Sequence, residues 1–235
     1  MAYGGADGRV RLWDLPAERV RALGGSGEPV YSLAFSPDGK LLAVGGGDRT
    51  VGRLVLWDVG GGKKLLSRAG DAGPFVALAI SPDGKALAGA DEGGVTVWGV
   101  PGGKVRHALE GPRGGTRAVT FTAGGKLLAA GCGGGRLVLW DARTGKVLRA
   151  PVEHAGTVEG VAASAGGKLL ATAGSEGRVR LWDVPADKKL ARLGLDAPAW
   201  SVALDPDGRY LAAGDSSGAV KVWEVARLLA RTGKR

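Results

Sequence analysis

The sequence predicts an all-β protein built from repeated four-stranded antiparallel units. Six of the seven tryptophans stand at 13, 57, 98, 140, 182 and 223, at intervals of 41 to 44 residues. Each ends a short apolar run, and glycine-rich turns separate the runs, so one strand-rich unit is copied along the chain. The 44 glycines and 11 prolines in 235 residues fall just under the share typical of non-periodic disordered chains, which favours a folded protein with many turns.

Each element of the unit follows from its residues. An inner strand such as Val30-Tyr-Ser-Leu-Ala-Phe35 comes first. Ser36-Pro-Asp-Gly39, Ser81-Pro-Asp-Gly84 and Asp205-Pro-Asp-Gly208 then set Pro at the second turn position and Gly at the last, the chemistry of a tight turn. Thr122-Ala-Gly-Gly125 and Ser164-Ala-Gly-Gly167 do the same with glycine. Small-residue runs follow (Leu41-Leu-Ala-Val44, Leu127-Leu-Ala-Ala130, Tyr210-Leu-Ala-Ala213), letting neighbouring sheets approach closely. The tryptophan strands (Val10-Arg-Leu-Trp-Asp14, Leu54-Val-Leu-Trp-Asp58, Leu137-Val-Leu-Trp-Asp141, Val179-Arg-Leu-Trp-Asp183) are rich in strand formers, and several are apolar on both faces, which requires cover on both. A charged fourth segment such as Lys63-Lys-Leu-Leu-Ser-Arg68 suits an outer edge. Only 12 residues precede Trp13, so residues 1–28 read as a partial unit, 29–225 as five full units and 226–235 as a basic tail, with helical periodicity confined to Ala226–Arg231.

These residues resemble the WD-repeat β-propeller family. The Trp-Asp pair stands at 13–14, 57–58, 140–141 and 182–183, with Trp98-Gly99 and Trp223-Glu224 as departures. The resemblance covers nearly the whole chain and implies five recognisable four-stranded blades plus a partial N-terminal one, in an incomplete ring or a fragment of a longer gene product. It also implies a structural tetrad of His154, Thr172, Glu176 and Trp182, with Glu176 in place of the usual Asp; the other blades lack the histidine and rely on packing and backbone pairing.

Composition removes several functions. No apolar run nears the roughly 18 residues that span a bilayer. The start of the chain lacks a basic region followed by an apolar stretch, so cytoplasm is the default location. One cysteine, Cys132, beside only His107 and His154, excludes an intrachain disulfide framework and argues against a zinc site. Gly214-Asp-Ser-Ser-Gly218 matches GxSxG but falls between two strands, where no nucleophile elbow forms. Gly45-Gly-Gly47 and Gly131-Cys-Gly-Gly-Gly135 lack the GK[ST] ending of a phosphate loop, and Asp91-Glu92 reads as solvated turn charge. No catalytic residue, cofactor or metal is expected.

The formal charge of +9 invites a nucleic-acid reading, but its placement argues against one. In the fold that the resemblance implies, ten of twelve lysines fall in connections on one face (bottom), nearly balanced by acids, and 12 acids against about six arginines fall on the opposite face (top). The family usually binds ligands over the top. Residues at the start of the inner strands line that opening: Tyr31, Val76, Arg117, Glu159 and Trp200. The expected function is a non-enzymatic scaffold for a protein or peptide, with a basic segment favoured by the acidic top. The alternatives are an accessory propeller domain of a larger, signalling-type protein and a small-ligand-binding propeller.

Overall fold

A computed structural model describes residues 1–235 apart from 26, 71, 113 and 233–235. Asp71, Arg113, Lys234 and Arg235, counted above among the charges, lie outside the described residues, as does the side chain of Arg231. The described chain forms six antiparallel sheets, divided between two compact units, Met1–Gly111 and Pro112–Arg235.

In the first unit, sheet one joins β1 (Ala2–Gly4), β2 (Arg9–Asp14) and β3 (Arg19–Gly25). Sheet two is β4 (Val30–Phe35), β5 (Leu41–Gly47), β6 (Gly52–Asp58) and β7 (Lys63–Gly70). Sheet three is β8 (Ala77–Ile80), β9 (Ala86–Ala90), β10 (Gly94–Gly99) and β11 (Val105–Glu110). Strands follow one another in sequence order, as tight turns dictate. In the Ser36 turn, Ser36 Oγ donates to Asp38 Oδ1 at 2.6 Å and accepts from the Leu41 N–H at 2.9 Å, and Gly39 takes φ +70°, where a side chain is strained. The Ser81 turn repeats both contacts at 2.5 and 2.9 Å.

Small residues let the sheets meet. Val10, Leu12 and Leu23 of sheet one pack with Leu42, Val44, Val55 and Trp57 of sheet two. A Cβ built on Gly24 stands 2.6 Å from the Trp57 ring, so the indole seats only because that position has no side chain. Leu54 and Leu56 of sheet two pack in turn with Phe75, Leu78, Leu87 and Trp98. Phe75 meets Trp98 edge to face, with centroids 5.7 Å apart.

In the second unit, sheet four is β12 (Thr116–Thr122), β13 (Leu127–Cys132), β14 (Leu137–Asp141) and the short β15 (Val147–Arg149). Sheet five is β16 (Val158–Ala163), β17 (Leu169–Gly174), β18 (Arg178–Asp183) and β19 (Lys188–Gly194). Sheet six holds β20 (Ala199–Leu204), β21 (Tyr210–Asp215) and β22 (Val220–Glu224), followed by helix α1 (Val225–Thr232). Leu137 and Leu170 pack with Leu139 and Trp182 between sheets four and five. Val179, Leu181, Leu195 and Leu211 pack with Trp223 between sheets five and six.

Two expectations are corrected. The last unit was expected to have four strands and has three, because the chain after Trp223 turns helical. Val225, Leu228 and Leu229 recur at helical spacing and pack on the same core, so much of the basic tail is an ordered helix. Lys63, Lys64, Lys188 and Lys189, among the lysines expected in bottom connections, are instead the opening residues of outer strands β7 and β19. Among the described residues no helix is long and apolar enough to cross a membrane.

Candidate functional site

Sheet five holds a chain of buried hydrogen bonds. Trp182 Nε1, which can only donate, gives its proton to Thr172 Oγ1 at 3.3 Å. The Thr172 hydroxyl therefore donates onward to His154 Nε2 at 2.8 Å, and His154 Nδ1 donates to Glu176 Oε1 at 2.8 Å. The structure thus brings together the four residues named from the resemblance. It adds a fifth: Arg180 Nη1 donates to the same Glu176 oxygen at 3.0 Å and lies against His154 Nδ1. Sequence reading missed Arg180 because strand alternation gives no sign that an arginine is buried there. It missed Gly174 as well, where a Cβ would run into His154 Nδ1 and Glu176 Oε2.

Electrostatics keep the cluster in one protonation state. Burial, and then the Arg180 charge, hold the His154 pKa below its ordinary 6.5, so the ring is neutral at pH 7. Burial raises Glu176, but hydrogen bonds from its own backbone N–H, from Arg180 and from His154 leave its pKa lowered overall. Glu176 Oε2 and Arg180 Nε are buried without partners. The Thr172 hydroxyl beside this histidine is fully buried, and its proton is engaged.

The five inner-strand candidates fall in both units. Tyr31 of the first and Trp200 of the second are 57% and 63% exposed. Arg117 is exposed; Val76 and Glu159 are half-buried. Four of the five share a backbone feature that the sequence did not reveal. The β4–β5 register slips between Val30 and Ser32, β12–β13 between Thr116 and Ala118, β16–β17 between Val158 and Gly160, and β20–β21 between Ala199 and Ser201. Tyr31, Arg117, Glu159 and Trp200 are the extra residues of these β-bulges, which turn one side chain out of the regular alternation. Val76 precedes β8, and its N–H donates to Ala90 O at 3.0 Å.

Many of the acids assigned to the top already have partners. Asp7 pairs with Arg11 at 2.9 Å, Glu153 with Lys189 at 2.9 Å and Asp196 with Lys221 at 2.7 Å. Asp48, Asp91 and Asp215 accept backbone N–H groups that close their own turns. Ser216 of the GxSxG match lies between β21 and β22, in a strand-to-strand turn. Burial pushes the Cys132 thiol up to about 11, so it remains protonated and unreactive at neutral pH.

A family model described as WD domain, G-beta repeat matches residues 17–52, 103–141, 145–183 and 192–224, more than half of the chain. Repeats of this kind generally mediate protein–protein interaction. No curated protein matches the chain. With recurrent tryptophan strands in six antiparallel sheets and four matched repeats, the chain belongs to the WD-repeat family.

Proposed function

We propose that this chain is a non-catalytic scaffold that holds a protein or peptide partner through side chains at the start of its inner strands. The observation that carries the reading is the repeated β-bulge. In the second unit Arg117, Glu159 and Trp200 occupy the extra position on three inner strands, and in the first unit Tyr31 does so. A large exposed aromatic beside charged groups suits a protein contact. In this reading His154, Thr172, Glu176 and Trp182 form a structural tetrad that orders sheet five and takes no part in binding.

The preferred partner presents a basic segment. The ring faces of Trp200 and Tyr31 attract a Lys or Arg head group, by about 0.5–2 kcal/mol each. The internal pairing of Asp7, Glu153 and Asp196 reduces the acidic field, so the aromatic contacts carry more of the preference. Calorimetric titration of Arg/Lys-rich and Asp/Glu-rich peptide pools tests this. The basic pool is expected to bind, more weakly in Trp200→Ala and at higher salt. Tighter binding of the acidic pool, or no effect of Trp200→Ala, overturns the reading.

A further inference from the structure

The contact between consecutive sheets repeats one design. Two apolar residues, three and one before the tryptophan of a sheet, meet the tryptophan of the next sheet. Val10 and Leu12 pack with Trp57, Leu54 and Leu56 with Trp98, Leu137 and Leu139 with Trp182, and Val179 and Leu181 with Trp223. In sheet six the same two positions are Val220 and Val222, and they are 69% and 63% exposed. Conversely, Trp13 of sheet one is 38% exposed, the most open of the six periodic tryptophans.

The two open faces differ in residue type, one aromatic and one aliphatic. By strand alternation the Trp13 face carries Tyr3, Arg9, Arg11 and Val20, with the Arg11 guanidinium 5.9 Å from the Tyr3 ring centre and tied to Asp7. The Val220/Val222 face carries Ala203, Tyr210 and Glu224, with Tyr210 opposite Glu224 across β21 and β22. One face is aromatic, with Arg9 beside an Arg11 already paired with Asp7; the other is apolar, and the Glu224 at its edge is paired with Arg227 at 2.7 Å.

We propose that the Trp13 face of one chain docks on the Val220/Val222 face of a second copy, continuing between molecules the contact made four times within one. Such a contact is head-to-tail, so each copy keeps one free face and the assembly grows past a dimer. Three strands about 4.8 Å apart and five residues of about 3.3 Å give a face of roughly 14 by 16 Å, small beside the ~800 Å² per partner of a stable interface, so association is weak and concentration-dependent.

Analytical ultracentrifugation of the full chain from about 10 μM to 1 mM tests this. The average mass is expected to rise with concentration and not to level off at two chains. Val220→Lys/Val222→Lys and, separately, Trp13→Ala should each lower the association constant at least about tenfold. Val20→Glu, at an exposed position opposite Trp13, gives a second block on the first face should Trp13→Ala disturb sheet one. A mixture of the Val220→Lys/Val222→Lys chain with the Val20→Glu or Trp13→Ala chain retains one good face of each kind and should form a 1:1 pair. A monomer throughout, a plateau at two for the unaltered chain, or no pairing in the mixture overturns the proposal.

Discussion

Sheets two and five have the same strand plan and opposite ways of holding their tryptophan. In each, a lysine of the outer strand lies over the indole face: Lys64 is 5.2 Å from the Trp57 ring centre and Lys189 is 4.8 Å from that of Trp182. Beneath the ring they diverge. Trp182 donates to Thr172, whereas the corresponding residue of β5 is Val44, and Trp57 Nε1 is buried with no hydrogen-bond partner. Val55 in β6 occupies the place that buried Arg180 takes in β18. Sheet two thus leaves one donor unsatisfied inside an apolar core, at a cost of about 1–3 kcal/mol. Sheet five meets that need but must then keep a histidine, a carboxylate and a guanidinium correctly paired. One fold tolerates either arrangement because backbone pairing and apolar contact are common to both.

The largest effect should come from crowding the polar arrangement. Gly174→Ala drives a methyl group into His154 and Glu176 and is expected to lower unfolding free energy by about 3 kcal/mol. A denaturant midpoint equal to that of the unaltered chain would show that the cluster yields without cost. His154→Ala should lower stability by about 2 kcal/mol through the donors and acceptors left behind. It should also remove a pH dependence. The folded-state pKa of His154 lies below its ordinary 6.5, so on acidification the unfolded chain takes up the proton first. Stability is therefore whole above about pH 6.5 and declines as pH falls through that value towards the folded pKa. Glu176, whose pKa is lowered, adds a loss at lower pH, below its ordinary 4.5. Melting curves at pH 7.5 and 5.5 should diverge less in His154→Ala than in the unaltered chain.

A reciprocal exchange sharpens the contrast at smaller scale. Thr172→Val is expected to cost about 1–2 kcal/mol, and Val44→Thr to gain up to about 1 kcal/mol by giving Trp57 an acceptor. If Val44→Thr destabilises, the apolar packing around Trp57 matters more than its orphaned N–H. The smallest effect belongs to His107→Ala in outer strand β11: below about 0.5 kcal/mol.

The strand plan could be read from sequence because its signals are local. The Ser36-Pro-Asp-Gly39 turn and the Trp57 strand need only their own residues to declare themselves. The partners of Trp182 were reachable through the resemblance, since His154 and Thr172 sit at family positions. Arg180 was not, because its burial depends on the charge of Glu176 arriving from the turn before β18. The bulges at Arg117, Glu159 and Trp200 were equally hidden, since a register slip is a relation between two strands. The end of sheet six was misjudged for a related reason: the helical spacing of Val225, Leu228 and Leu229 was visible, but not the core that it meets.

The matched repeats run out of phase with the sheets. Residues 145–183 hold β15, the outer strand of sheet four, together with β16, β17 and β18 of sheet five. This matched segment is therefore a clasp. It lends an edge strand to sheet four and leaves sheet five to be completed by β19, beyond residue 183. Excised alone, residues 145–183 would carry a strand with no sheet and a sheet with no outer strand. The matched segment is offset from the sheet, and sheets four and five are thereby bound into shared cooperativity.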